Sequence, residues 1–303
     1  MNTISNIDLE NRKKFFSEPP DIGSRRDIFN YTNGLLKEYA LQPKKSLGQH
    51  FMIDPNILVA YADLLSSYTF DSIVEIGAGL GTLTKLILQG NCDNVFLIEK
   101  DPNFALILEK NFRKASVINS DVLTLPNEFW NTKQAVIGNI PYEISSPLLF
   151  KLAKSSFFNS GVLIAFLVQK EFAQRMIGLF GTKNYSKLSV NIQLLGKTKI
   201  ISHFGPGSFY PAPKIASSLV VIFPHQEINP IINSSEFQQF LTILFTRKNR
   251  IVKSLLKNHI KNHKNRFQKE QIIESDPEAF SRVKNLSPDQ FIKLFERMKD
   301  VLV

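Results

Sequence analysis

"SIVEIGAGLGTLTKLIL", residues 72–88, decides how this chain is read. A run of strand formers, Ser72 to Ile76, gives way to Gly77, Gly79 and Gly81 and then to a stretch with helical spacing. Such a glycine turn between strand and helix lets a ligand approach the backbone closely, because no Cβ stands in the way. Working outward, similar apolar runs recur as "NVFLI", "ASVIN", "QAVIGNI", "GVLIAFLVQ" and "SSLVVIF", with helix-period stretches among them. Short apolar runs alternating with helices predict a doubly wound α/β sheet, mostly parallel, from Ser72 to about Phe223.

The ends of these runs carry polar residues in a consistent order. The spacing Glu75-x-Gly77-x-Gly79-x-Gly81 differs from the G-x-G-x-x-G fingerprint of dinucleotide sites. It favours S-adenosylmethionine, which has no pyrophosphate to seat on a helix N-terminus. Glu99 closes the next run, about 20 positions on, where an acid can accept hydrogen bonds from ribose hydroxyls. Asp121 follows the third run and is placed to accept from an adenine amino group. All fall at successive strand ends, where ligands bind in open α/β sheets.

The fourth run ends in Asn139-Ile140-Pro141-Tyr142. A strand ending in an ordinary turn explains Asn and Pro alone. Beside a cofactor site the tetrad has a second reading. An exocyclic aromatic amine is a poor nucleophile, and a site helps by accepting its N–H hydrogens and clamping its ring. Asn139 offers a side-chain carbonyl. Pro141 biases Ile140 toward an extended backbone that can aim its carbonyl at the same amine. Tyr142 offers a stacking face for a base. Together they read as an adenine N6 methyltransferase site.

Composition fits this. The 303 residues suit about two domains, and the 43% hydrophobic content supplies a core. One cysteine, Cys92, excludes an internal disulfide framework and fits a reducing cytosol. The five histidines show no metal-ligand spacing, so no metal is expected. No apolar run reaches the length of a membrane span, and the N-terminus has no secretory pattern. A net charge of +10 points to a polyanionic partner. Arg247 to Lys269, "RKNRIVKSLLKNHIKNHKNRFQK", contains no acid, whereas a solvated helix face mixes signs. Residues 1–24, with Pro19-Pro20, read as a tail and 25–42 as a short helix. This gives an extension at 1–42, disordered in part, a sheet domain at 43–226 and a basic helical domain at 227–303. "PHQEINPIINS" reads as a linker, and Ser287-Pro288-Asp289 as a helix start.

With these residues in hand, the chain resembles the small-subunit ribosomal RNA adenine dimethyltransferases, the KsgA group, from about Pro43 onward. The resemblance rests on "KKSLGQHFMID", "VEIGAGLGTLT", "IEKD", "GNIPYEISSPLLF", "LVQKEFAQRM", "YSKLSV", "FGPGSFYPAPK" and "FTRKNRIVKSLL", the last similar to a basic helix. It implies a Rossmann-like methyltransferase sheet followed by a smaller helical domain. It implies conversion of two adjacent adenosines near the 3′ end of small-subunit (16S) rRNA to N6,N6-dimethyladenosine, with S-adenosylmethionine as donor. It also implies a role in small-subunit biogenesis, a cytoplasmic monomer, and a pre-small-subunit particle as partner. Carried over residue by residue, cofactor contacts fall on His50, Met52, Gly77, Gly79, Glu99, Asp121 and Asn139. The target base falls to Asn139, Ile140, Pro141 and Tyr142, with Phe209 stacking on its other face. RNA contacts fall on Arg247, Lys248 and Arg250. The chain departs from the family pattern at His50-Phe51-Met52, where Asn-Phe-Leu is usual, and at Ala216, where an acid is usual.

Three other readings share these features. They are the sister group that methylates large-subunit rRNA, a mitochondrial relative acting in transcription, and a non-enzymatic assembly factor on the same fold. "LVQKEFAQRM", "YSKLSV" and the basic C-terminal region favour the small-subunit group. The acids of the N-terminus speak against the mitochondrial relative. Intact Gly77, Glu99, Asp121 and Asn139 favour catalysis.

Overall fold

A computed structural model describes residues 15–44, 47–155, 157–262 and 265–302. Their contacts divide into two units. One runs up to Lys170 and includes Ile200–Val221; the other comprises Glu171–Lys199 and Ile222 onward.

The first unit opens with residues that do not form a tail. Phe15 and Phe16 are buried. The Phe15 carbonyl accepts from the Asn91 amide at 2.6 Å. Asp21 and Gln89 exchange two hydrogen bonds, at 2.7 and 2.9 Å. Helix α1, Arg25–Glu38, starts at a capping box made by Ser24 and Asp27. Its Leu35 and Leu36 join Phe51, Leu80, Phe104 and Ile107 in one apolar cluster. Two adjacent phenylalanines and a helical apolar stripe need a partner surface, and the sheet domain supplies it. The expectation of a tail fails from Phe15 onward; residues 1–14 lie outside the described residues.

The elements then follow in order: β1 Phe51–Met52, α2 Pro55–Ser66, β2 Ser72–Ile76, α3 Thr82–Ile87, β3 Asn94–Glu99, α4 Pro102–Asn111, β4 Ser116–Asn119, β5 Ala135–Asn139, α5 Ser145–Lys154, α6 Phe157–Ser160 and β6 Leu163–Gln169. After these come α7 Lys170–Met176, α8 Lys187–Leu195, β7 Gly196–Phe204, β8 Phe209–Tyr210 and β9 Ser217–Pro224. The main sheet has the strand order β4-β3-β2-β5-β6-β9-β7. β2 pairs in parallel with both β3 and β5, β3 with β4, and β5 with β6. β2 and the inner stretches of β5 and β6 are buried end to end. This is why their sequences read as continuous apolar runs rather than alternating ones. The chain leaves β2 toward β3 and β4, then returns to the other side of β2 as β5. The carboxyl ends of β2 and β5 therefore flank a topological switch point.

The second unit holds α8 with α9 Ser235–Phe245, α10 Val252–His259, α11 Arg266–Ser275 and α12 Pro288–Leu302. Its core buries Tyr185 and Val190 with Phe237, Phe240, Leu256, Phe291 and Met298. The Tyr185 hydroxyl donates to the Leu286 carbonyl at 2.8 Å. Residues 171–199 thus group with the C-terminal helices, although they precede the expected boundary at 226–227 by many residues. The expected helix start at Ser287 is the start of α12, where Ser287 Oγ accepts from the Gln290 amide.

Candidate active site

The glycine turn leaves β2 at the switch point. Gly77, Gly79 and Gly81 have φ of 68°, 57° and 82°, backbone angles that L side chains rarely adopt. A Cβ on Gly77 would point at the Asn139 carbonyl, 3.6 Å away, and at Pro141. The turn therefore lies against the start of Asn139-Ile140-Pro141-Tyr142. Gly138 is required for a different reason. A Cβ there would stand 2.3 Å from the Ile76 carbonyl oxygen, so only glycine lets β5 pass β2 this closely.

The acids take up distinct states. Glu99, at the end of β3, is 7% exposed. Its two oxygens accept from the amides of Gly79 and Asp101, each at 2.8 Å. Burial raises its pKa despite these bonds. Each oxygen keeps a further lone pair for a ligand hydroxyl. Asp121 is held below the usual carboxylate range by Lys100, 2.8 Å away, and by the Leu123 amide. It is an anionic acceptor at neutral pH. Glu75, inside β2, accepts from the Thr84 hydroxyl at 2.6 Å. Burial pushes its carboxyl up to about 8, so it is protonated at neutral pH.

Asn139 is oriented from far along the chain. Its Nδ2 donates to the His50 carbonyl at 2.7 Å. That fixes the amide and leaves Oδ1, with the second Nδ2 hydrogen, for other partners. The His50 ring is set in turn by Nδ1, which lies 2.7 Å from the Pro211 carbonyl. A carbonyl oxygen only accepts, so Nδ1 carries the proton. The His50 and Tyr142 rings are nearly parallel, at 24°, with centroids 6.5 Å apart. Tyr142 is further fixed by Ser217 Oγ at 3.2 Å. β1 and β8 pair antiparallel, Phe51 opposite Tyr210 and Met52 opposite Phe209.

A single cavity is lined by His50, Met52, Gly77, Gly79, Glu99, Asp121 and Asn139, the whole set expected to hold the cofactor, and also by Pro141. The residues present fit S-adenosylmethionine: a backbone cradle that a Cβ would fill, a buried acceptor pair on Glu99 and an anionic acceptor on Asp121. Ile140, Tyr142 and Phe209 do not line this cavity. Ile140 is buried with its amide on the Leu167 carbonyl, at 3.1 Å. Phe209 is 3% exposed, so stacking on a base requires it to leave that position.

The ribosomal RNA adenine dimethylase family model matches residues 40–300. The chain belongs to that family. A protein of Pyrococcus furiosus named "Probable ribosomal RNA small subunit methyltransferase A" is 32% identical over 270 residues, 87% of this chain and 95% of its own length. The crystal structure of a dimethyladenosine transferase from Plasmodium falciparum matches with a TM-score of 0.69 at 26% identity, covering 83% of this chain and 98% of its own. The 23S rRNA methyltransferase ErmE matches with a TM-score of 0.57 at 21% identity, over 82% of this chain and 99% of its own, and so shares the fold. The doubly wound methyltransferase fold expected from the sequence is the fold of these relatives.

Family membership leaves several local features to the structure. Asp101 is nearly inaccessible and accepts from Lys44 at 2.8 Å and Gln49 at 3.1 Å. It fastens the segment before His50 to the end of β3. Sequence reasoning missed this role, and the only local signal, Asp101-Pro102, reads as a helix cap. The basic segment also differs from expectation. Arg247, Lys248 and Arg250 lie on a turn between α9 and α10, not on a helix. Arg247 and Arg250 are exposed. Lys248 instead donates to the carbonyls of Lys183 and Tyr185 at 2.6 and 2.9 Å. Its ammonium braces the backbone of that segment. Lys257 pairs with Glu274 and Glu270 on α11, so acids absent from its own stretch reach it through the fold.

Proposed function

We propose that this chain transfers methyl groups from S-adenosylmethionine to the N6 amines of two adjacent adenosines near the 3′ end of small-subunit rRNA, producing N6,N6-dimethyladenosine. The observation that carries this reading is the orientation of Asn139. One hydrogen of its amide nitrogen is committed to the His50 carbonyl, which fixes the amide and leaves Oδ1 free to accept. An exocyclic amine presents N–H donors, and a fixed carbonyl is their complement. A base carrying a carbonyl at that position would face oxygen with oxygen. Oδ1 so oriented suits an amine.

The bound cofactor supplies an electrophilic methyl on a sulfonium. Glu99 would hold its ribose, Asp121 its adenine amine and the glycine turn its methionine part. Asn139 Oδ1 and the Ile140 carbonyl accept the target N–H groups and draw the nitrogen toward sp³. Tyr142 stacks on the base and holds its plane. No general base is required, because the alkylated nitrogen becomes acidic and releases its proton to solvent. Positioning and electrostatics supply the rate. The basic second unit docks rRNA within a pre-small-subunit particle, where the protein acts as a cytoplasmic monomer. In support of the substrate, relatives are named for the small subunit.

Labelled methyl transfer to undermethylated small subunits, with the modified positions mapped, tests this. Label on adjacent small-subunit adenosines is expected; label confined to large-subunit rRNA refutes it. Asn139→Ala, at saturating cofactor, should lower the single-turnover rate about 10²- to 10³-fold. RNA affinity, spread over many phosphates, should hardly change. A wild-type rate in that variant returns the tetrad to a structural turn.

A further inference from the structure

The turn between α7 and α8 presents two adjacent apolar side chains to solvent. Leu179 is 62% exposed and Phe180 52%. The turn that carries them is firmly held. The Leu179 carbonyl accepts from both the amide and the hydroxyl of Thr182, at 3.1 and 2.6 Å. The Gly181 amide donates to the Lys284 carbonyl at 2.6 Å. Lys248 clasps the carbonyls of Lys183 and Tyr185, and Tyr185 is fully buried. Water disfavours an exposed phenylalanine beside an exposed leucine, and a rigid turn keeps both from folding back.

Cationic residues are tied to this turn by the hydrogen bonds of Gly181 to the Lys284 carbonyl and of Lys248 to the Lys183 carbonyl. Arg175, Lys183 and Lys284 stand close enough to Lys248 to depress its pKa further, after burial. None of the four takes part in an ion pair among the described residues. Positive charges gathered without acids repel one another and await a polyanion. An acidic protein would satisfy the charges, yet it would not call for an aromatic face. A nucleic acid satisfies both, with phosphates for the cations and an unpaired base for the ring.

We propose that Phe180 stacks on an unpaired base of the RNA substrate, with Arg175, Lys183 and Lys284 seating the adjoining phosphates. This is a docking contact of the second unit and takes no part in methyl transfer. It rests on the reading of the substrate as rRNA.

The test uses the full chain with Phe180→Ala, Phe180→Leu and Phe180→Trp, binding to undermethylated small subunits at one fixed salt concentration. Ala and Leu should weaken binding roughly 5- to 150-fold, the range for one base stacked on an aromatic ring. Trp should stay within about twofold of wild type. Cofactor affinity and Tm should not move, because the side chain is exposed. Wild-type binding by the Ala variant overturns the proposal, as does full rescue by Leu, which would mark a plain apolar contact. Photo-crosslinking from p-benzoylphenylalanine placed at position 180 should reach an rRNA nucleotide; capture of ribosomal protein alone also overturns it. A wild-type chain with no affinity for small subunits defeats the substrate reading and this contact together. Wild-type affinity that survives Phe180→Ala defeats this contact alone.

Discussion

Replacing Glu75 by glutamine should flatten the pH dependence of stability by about 4 kcal/mol between pH 5 and pH 9. Glu75 lies within β2 and is 2% exposed. Burial is the largest influence on it and raises its carboxyl from 4.5 to about 8; the Thr84 hydroxyl opposes the shift and Glu99 adds to it. The native state thus holds this proton more tightly than the unfolded chain. The contribution of the group is complete below about pH 4.5 and declines as pH rises, until the folded carboxyl also ionises near 8. Over that whole span the decline is about 5 kcal/mol, and about 4 kcal/mol of it lies above pH 5. Glu75→Gln keeps the shape and the acceptor for Thr84 but cannot titrate. The assay is urea unfolding of both proteins at pH 5, 7 and 9 without cofactor, followed by fluorescence of Trp130. That is the single tryptophan of the chain, fully buried in the first unit. Wild type should lose stability toward pH 9 and the variant should lose far less. Curves that run parallel within about 1 kcal/mol would refute the buried, protonated state of Glu75.

Glu99→Ala should weaken S-adenosylmethionine binding by about 1–3 kcal/mol in calorimetry; an unchanged Kd would reduce Glu99 to an acceptor for the Gly79 and Asp101 amides. Deleting residues 1–42 should lower both Tm and cofactor affinity, because α1 covers Leu80, Phe51 and Phe104, which also line the cavity. If neither changes, the extension is an appendage. Charge reversal at Arg247 and Arg250 should reduce the salt slope of RNA binding by about 1 for each phosphate that is no longer neutralised, with cofactor affinity preserved. A slope equal to wild type would make that turn a solvated surface.

The sequence by itself determined the sheet and picked out residues that line one cavity, the one we propose for the cofactor. Continuous apolar runs, glycines at fixed offsets and polar residues at run ends are local patterns. Each follows from a short-range rule: a strand buried on both faces must be apolar throughout, and a turn approached by a ligand must lack Cβ atoms. Gly77, Gly79, Glu99, Asp121 and Asn139 were legible for that reason. Tertiary structure decided what depends on a partner far along the chain. Asn139 could have turned either end of its amide to the ligand until the His50 carbonyl fixed it. Lys248 reads as one more surface cation, yet two distant carbonyls hold its ammonium. Lys257 has no acid in its own stretch, and α11 brings two. Phe15 and Phe16 look like part of a polar tail until the fold offers them a surface. Glu75 is an ordinary carboxylate in sequence, and only the strands and helices packed around it remove the water that would keep it ionised. Hydrogen-bond partners and desolvation are properties of neighbours in space, and no local pattern in a sequence records which distant residues those neighbours will be.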